Sequence, residues 1–426
     1  MRAASDSARV ANGLQNVWRA LGPGLITGAA DDDPSGIATY SQAGAQFGYA
    51  LTWTMFLTLP FMVAIQIISA SIGWGTGEGL ARSIGKRLPR PVLLGLVMLL
   101  VIANTINITA DLAAMGDALR LVIGGPAVAY AIGFGLLCLI SEIVVPYHQY
   151  AGYLKFLTFV LFVYVATAFS VHVPWETVLR SAVLPDFSLT RDAILTIVAV
   201  FGTTISPYLF FWQAAQEAEE SRLSYRHRTR EALSPQAFRH IAVDTWTGMT
   251  MSNLVAFFIM VTTAATLHAN GVMKIDTASQ AAEALKPIAG AFTFALFSAG
   301  IIGTGLLAVP VLAGSAAYGV AEAFRLKGSL ELPASRAIGF YAIVSAATLA
   351  GAVLTLTKVD PIAMLFWTAV INGITAVPIM FAMMLVVSGK NEKLNLPRWL
   401  TMLGWLAAAL MAVAVGLLLW SELSGR

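Results

Sequence analysis

Apolar runs of about 20 residues or more follow one another along almost the whole chain, and this recurrence restricts the fold more than any other feature. About eleven can be traced, over 21–49, 51–74, 91–121, 126–146, 151–171, 192–217, 240–266, 288–324, 335–356, 360–388 and 395–421. Hydrocarbon offers no water to backbone N–H and C=O groups, so a run of this length must satisfy its own, and an α-helix does so. The composition agrees: 58% of residues are hydrophobic and 12% charged, against about 25% charged in soluble domains. The reading is an all-α integral membrane protein. The longest polar connections, about 217–239 and 173–191, are too short for a separate soluble domain. A net charge of +3 gives no reason to expect a nucleic-acid partner, and no protein partner is implied. The lipid bilayer is the one extended partner.

Lys and Arg set the expected orientation. With the N-terminus in the cytoplasm, the inside segments collect Arg82, Lys86, Arg87 and Arg90, the group Arg222, Arg226, Arg228, Arg230 and Arg239, and most of the rest of the 26 Lys and Arg. Eleven spans then leave the C-terminus external, in an inner (plasma) membrane protein. Residues 1–20 read as a polar cytoplasmic segment without the apolar core of a signal peptide. Trp53, Trp175, Trp399 and Trp420 fall near span ends, where interface anchors belong. The single cysteine, Cys138, excludes an internal disulfide and a cysteine metal cluster.

Two spans are interrupted. The first carries Asp31-Asp32-Asp33 directly before Pro34-Ser35-Gly36; the sixth carries Gly202-Thr203-Thr204-Ile205-Ser206-Pro207-Tyr208. A carboxylate at the bilayer centre costs roughly 2.5–3.5 kcal/mol even on the lenient scale, so three in a row do not face lipid. The breaks open two successive sets of five spans that enter the membrane from opposite sides. Paired interruptions in opposite orientation mark an inverted-repeat transporter whose substrate lies between them. Two ordinary proline kinks are the competing account, which the triplet disfavours.

At a broken helix several carbonyls lose their intrahelical partners and become available oxygens. Asp33 adds a charged oxygen, and Thr203, Thr204 and Ser206 add more from the facing break. An all-oxygen set suits hard cations. No Met, Cys or His stands at either break; His148, His172, His227, His240 and His268 fall in loops or at span ends. Asn104, Asn107 and Asp111 share one helix face, which reads as a water path or as interhelical hydrogen bonding. Asn372-Gly373 is a further interruption that would approach the site. Gln213 and Gln216 would line an inner vestibule. Glu142 is expected to have a structural partner, Gly44 and Gly48 to serve close packing, and Glu217, Glu219 and Glu220 to form a solvated face.

Gly22-Pro23-Gly24, Asp33-Pro34-Ser35-Gly36, the run from Gln42 to Tyr49, and Thr109-Ala110-Asp111-Leu112-Ala113 resemble the NRAMP divalent-metal transporters, as do the number and spacing of spans. The resemblance implies a LeuT-type fold, two inverted five-helix repeats over 21–171 and 172–388, and an eleventh helix over 389–426. It also implies that a transition-metal ion is moved, usually with protons. The metal is then the substrate, and neither a cofactor nor an enzymatic activity is implied. The departures matter as much. The family's Asp-Pro-Gly-Asn becomes Asp33-Pro34-Ser35-Gly36, and its Met-Pro-His becomes Ser206-Pro207-Tyr208. Its relay glutamate, three residues after the aspartate, becomes Ala114. A branch with such replacements is associated with Mg²⁺.

The expectation is therefore a divalent-cation importer taking a hard ion, Mg²⁺ before Mn²⁺, without obligatory proton coupling. Asp33 would be the central ligand with the Ala30 and Thr203 carbonyls, the Ser206 hydroxyl and the backbone at Gly36. Asp31 and Asp32 would be outer acceptors. Asp111, Asn107, Tyr208, Gln213 and Asn372 would line the pathway. Small residues at 36 and 206 would widen the site for a hydrated ion. The alternatives are a proton-coupled Mn²⁺/Fe²⁺ symporter, with the proton on Asp33 or Asp111, and an amino-acid or amine transporter on the same fold.

Overall fold

The computed structural model describes residues 22–145, 159–185, 190–224, 233–357, 360–389, 394 and 396–424. Among them there are helices and no strand. Eight helical stretches are long and apolar enough to cross a membrane, counting the sixth broken helix as one. They are α3 (Trp53–Thr76), α5 (Arg90–Ile123), α6 (Ala127–Val144), α9 with α10 (Arg191–Thr204 and Pro207–Ser224), α11 (Pro235–Thr266), α14 (Thr293–Ala323), α16 (Pro361–Ser388) and α17 (Arg398–Ser424). The first broken helix is shorter in each half, α1 (Pro23–Asp31) and α2 (Pro34–Phe47), and α15 (Ile338–Leu354) is a shorter apolar helix. The remaining helices are α4 (Leu80–Gly85), α7 (Phe162–Ser170), α8 (Trp175–Val183), α12 (Ala278–Glu283) and α13 (Lys286–Ala289).

Both interruptions predicted from the sequence are present, and both restart on proline. Pro34 and Pro207 are the first residues of α2 and α10, where a missing N–H costs nothing because the first-turn N–H groups have no intrahelical acceptor. Two connections differ from expectation. The polar connection expected from 217 is helical to Ser224, and the connection from 173 holds α8, which leaves α7 at 116°. Trp399 and Trp420 are exposed, as anchors should be, whereas Trp53 is buried.

The two breaks are held by helices that approach at backbone distance. α11 runs along both α1 and α2, while α3 runs along α10 and touches α9 much less. A Cβ added at Gly28 would lie 2.3 Å from the Gly248 carbonyl oxygen, and one at Gly73 2.1 Å from that of Ala214. Gly44 likewise presses on Met260 and Thr263 of α11. In an apolar solvent such contacts, with dispersion and hydrogen bonding, replace the hydrophobic drive that joins helices in water. A cavity of about 450 Å³ opens between α2, α9, α16 and residues 273–276, with Ala38 and Thr196 on its wall nearest the breaks.

Candidate metal site

Asp33 sits in the first break. α1 ends at Asp31, Asp32 caps it, and Asp33 is extended (φ −69°, ψ 169°) as the N-cap of α2. Its Oδ1 accepts the Gly36 N–H and the Ser35 hydroxyl, each at 2.7 Å. These bonds fix the carboxylate on the positive end of α2, where N-cap chemistry and the helix dipole both favour an anion. Its Oδ2 accepts Nδ2 of Asn107 at 3.2 Å, so the polar face of α5 reaches the break. Asp33 is 1% exposed.

The second break lies against the first. α9 ends at Thr204, Ile205 caps it, and α10 starts at Pro207. Ser206 Oγ donates back to the carbonyls of Gly202 (2.8 Å) or Thr203 (2.9 Å). The Tyr208 hydroxyl crosses to the other break and donates to the Ala30 carbonyl at 2.8 Å. A Cβ at Gly36 would stand 3.2 Å from Thr203 Oγ1 and 3.3 Å from the Tyr40 ring. The space beside Gly36 is therefore bounded by the Thr203 hydroxyl and the buried Tyr40 ring.

The acidic triplet divides between two neighbours. Asp33 turns to α5, while Asp31 and Asp32 turn to α11, where the Ser252 hydroxyl lies 2.7 Å from Asp31 Oδ2 and 3.0 Å from Asp32 Oδ1. Both are buried, and neither lines the 450 Å³ cavity. Ser252 was not singled out in the sequence, although Thr250, Ser252 and Asn253 interrupt an otherwise apolar run.

Several buried oxygens near the breaks have no donor. Asp111 lacks a partner at both carboxylate oxygens, Asn104 and Asn107 at Oδ1, and Asn372 at both amide atoms. Asn104 does donate to the Leu312 carbonyl at 2.8 Å. Asn372 sits where α16 meets α9, since a Cβ at Gly202 would be 2.4 Å from the Gly373 nitrogen. Unsatisfied buried acceptors are uncommon and require an explanation such as a water or an ion. Gln213 is fully buried and donates to Thr245 at 2.9 Å, with its Oε1 unpartnered; it stands between α10 and α11, where no open vestibule reaches it.

Three side chains depart from their expected settings. Glu142 is buried with neither oxygen hydrogen-bonded, so it lacks the structural partner expected for it. Glu217 is buried and Glu219 accepts the Tyr318 hydroxyl at 2.8 Å, because α10 continues into the bundle instead of ending in a solvated face. Among the described residues no three His, Cys, Asp or Glu side chains gather as a metal cluster. His268 bonds the Ala45 carbonyl at 2.8 Å, while His148 and His227 lie outside the described residues.

A charge at the far end of α1 completes the picture. The Asp244 carboxylate of α11 accepts the N–H groups of Gly22 at 3.0 Å and Gly24 at 2.6 Å. It caps the half-helix from 220 residues away.

Three comparisons bear on this geometry. A sequence profile described as Nramp, natural resistance-associated macrophage protein-like, matches residues 24–421. The divalent metal cation transporter MntH of Aeromonas hydrophila subsp. hydrophila is 28% identical over 301 residues, covering 67% of this chain and 69% of that one. The Eremococcus coleocola manganese transporter superposes with a TM-score of 0.72 at 16% identity, over 94% of this chain and 85% of that one. A Na⁺-coupled sialic acid symporter gives 0.57 at 11% identity, over 91% and 88%. These last two speak to the fold, a LeuT-type arrangement.

Proposed function

The chain belongs to the Nramp family of divalent metal cation transporters, and from that premise we propose that it imports a hard divalent ion, Mg²⁺ ahead of Mn²⁺, without obligatory proton coupling. The observation that carries this reading is the state of the carbonyls at the breaks. The Ala30 carbonyl already accepts the Tyr208 hydroxyl, and the Ser206 hydroxyl turns back onto its own helix, to the Gly202 or the Thr203 carbonyl. Asp33 is then the main direct ligand, and the remaining positions around the ion belong to water. Mg²⁺ dehydrates reluctantly and keeps several waters, so a site with one carboxylate and a ring of hydroxyls and amide oxygens holds it through its hydration shell. Asn107, Asp111 and Asn372 supply acceptors without donors of their own for those waters. No residue of either break itself carries a sulfur or imidazole that would favour softer metals.

Ala114 stands at the position of the family's relay glutamate, and Tyr208 at that of its histidine. A phenol, with an ordinary pKa near 10, takes up no proton at neutral pH. The cation enters through the cavity beside Ala38 and Thr196, and leaves when α1 parts from α11. The N-terminus lies on the cytoplasmic side in this scheme. A second reading, proton-coupled Mn²⁺ symport, rests on Asp111, whose two unpartnered oxygens could carry a proton.

Uptake into proteoliposomes with an internal pH probe separates the two. Mg²⁺ enters without a change of internal pH, Cd²⁺ enters poorly, and Asp33→Ala abolishes uptake. Acidification that tracks metal entry overturns the uncoupled scheme, and strong Cd²⁺ uptake overturns the hard-ion assignment.

A further inference from the structure

At the end of the bundle where α5 begins and α14 ends, a second cavity of about 550 Å³ is lined by Arg82, Lys86, Arg90, Leu93, Glu322 and Arg325, among others. It holds four cationic side chains and one carboxylate. That carboxylate is already committed: Glu322 accepts the Arg82 backbone N–H at 3.2 Å, over the start of α4. Arg82 and Lys86 share Glu78, which stands outside the cavity lining. Arg90 and Arg325 have no carboxylate partner among the described residues. The cavity thus carries an excess of positive charge, with the Arg90 and Arg325 guanidinium groups uncommitted.

Arg325 is held there at a cost. Its φ of 56° is the one left-handed backbone among the described non-glycine residues. The position closes α14: the Leu326 N–H bonds the Ala321 carbonyl at 2.7 Å, the pattern of a Schellman cap, where glycine is the usual residue. An arginine in that place brings a guanidinium to the cavity and accepts strain to do so. Strain of this kind collects at ligand sites.

The surroundings fix the kind of ligand. Arg90 is the first residue of a membrane-crossing helix, and Arg325 lies two residues past the end of another. The cavity therefore lies at the membrane boundary, at the end that the Lys and Arg distribution assigns to the cytoplasm. Exposed apolar side chains flank it: Val92, Met98 and Leu99 on α5, and Phe324 and Leu326 beside Arg325. Guanidinium pairs match phosphate oxygens bidentately, and basic pockets between helices at this level suit anionic headgroups. We propose that this cavity binds the phosphodiester of an anionic membrane lipid between Arg82, Arg90 and Arg325, with its acyl chains lying along α5. The bound headgroup would tie the α4–α5 corner to the end of α14.

Native mass spectrometry of the detergent-purified full chain, with thermal melting alongside, tests this. Phosphatidylglycerol or cardiolipin is retained and raises the melting temperature by several degrees, phosphatidylcholine does neither, and added salt weakens the effect. The pair Arg90→Gln and Arg325→Gly loses retention several-fold, while Lys286→Gln at the other end of the bundle does not. Arg325→Gly alone keeps its fold, because glycine relieves the left-handed strain. Equal retention of phosphatidylcholine, or undiminished retention in the double variant, overturns the proposal. Inorganic phosphate that displaces the lipid and stabilises equally shows a free-anion site and overturns the lipid assignment. If the double variant does not fold, the wild-type titration decides: a shift without headgroup selectivity or salt sensitivity overturns it.

Discussion

The hydrogen bond from Tyr208 to the Ala30 carbonyl joins the two broken helices at the point where a substrate would sit. A carbonyl that accepts a phenol is a poorer direct ligand, and releasing it changes the site in two opposing ways. Tyr208→Phe leaves a buried acceptor unpaired, which costs about 1–3 kcal/mol. It also frees an oxygen for the ion. The variant is expected to melt earlier without metal and to recover more stability than wild type on adding Mn²⁺, read by thermal melting across a metal titration. An equal metal response in both proteins would remove Tyr208 from the selectivity argument. At this scale the sequence was partly legible. Asp33 stood out because a carboxylate before a proline in an apolar run has few explanations. Asn107 was visible as part of a polar helix face, though its bond to Asp33 was not. Ser252 and Tyr40 were hidden, since their partners lie on other helices and no local pattern announces them.

The first half-helix depends on the rest of the fold more than on its own length. α1 has nine residues, too few to be stable alone. It depends on α11: Gly24 and Gly28 seat against Gly248, and Asp244 caps its start. The contact has no room for a side chain. Gly28→Val should push α1 away from α11 and open the path on that side without altering Asp33. Solvent labelling of an Ala29→Cys probe should then rise in the variant, with Cys138 remaining silent because it is buried. Unchanged labelling would mean that the α1–α11 seam is not the closure. Both proline breaks were evident in the sequence because proline and glycine act locally. The seam was not, because Asp244 reads as one more acidic residue until the fold brings it 220 positions back to Gly24.

Across the whole molecule the two broken helices are not held alike. α11 grips both halves of the first, while α3 grips chiefly the second half of the sixth. The first half of the sixth, α9, packs instead on α16 and α17, and the cavity beside Ala38 and Thr196 is open while the α1–α11 seam is closed. An uncoupled carrier must then take its driving force from the membrane. Two charges crossing an inside-negative potential of 100 mV gain about 4.6 kcal/mol, roughly three decades of accumulation. Mg²⁺ uptake should therefore follow an imposed potential at constant pH and collapse when the potential is cancelled. Uptake that follows a pH gradient at zero potential would defeat this. The order of spans was legible from hydropathy alone, because the bilayer admits so few structures. The inequality was not, since it is a property of which contacts happen to be closed.

One hydroxyl, that of Ser252, stands between the carboxylates of Asp31 and Asp32. Both acids belong to the break at the end of α1, so a movement of that half-helix away from α11 would take them from Ser252 together. The route on that side would then be lined by two further carboxylates only while it is open. A departing cation would be escorted by acceptors that the door itself carries, and on closing they are folded away before the next ion arrives.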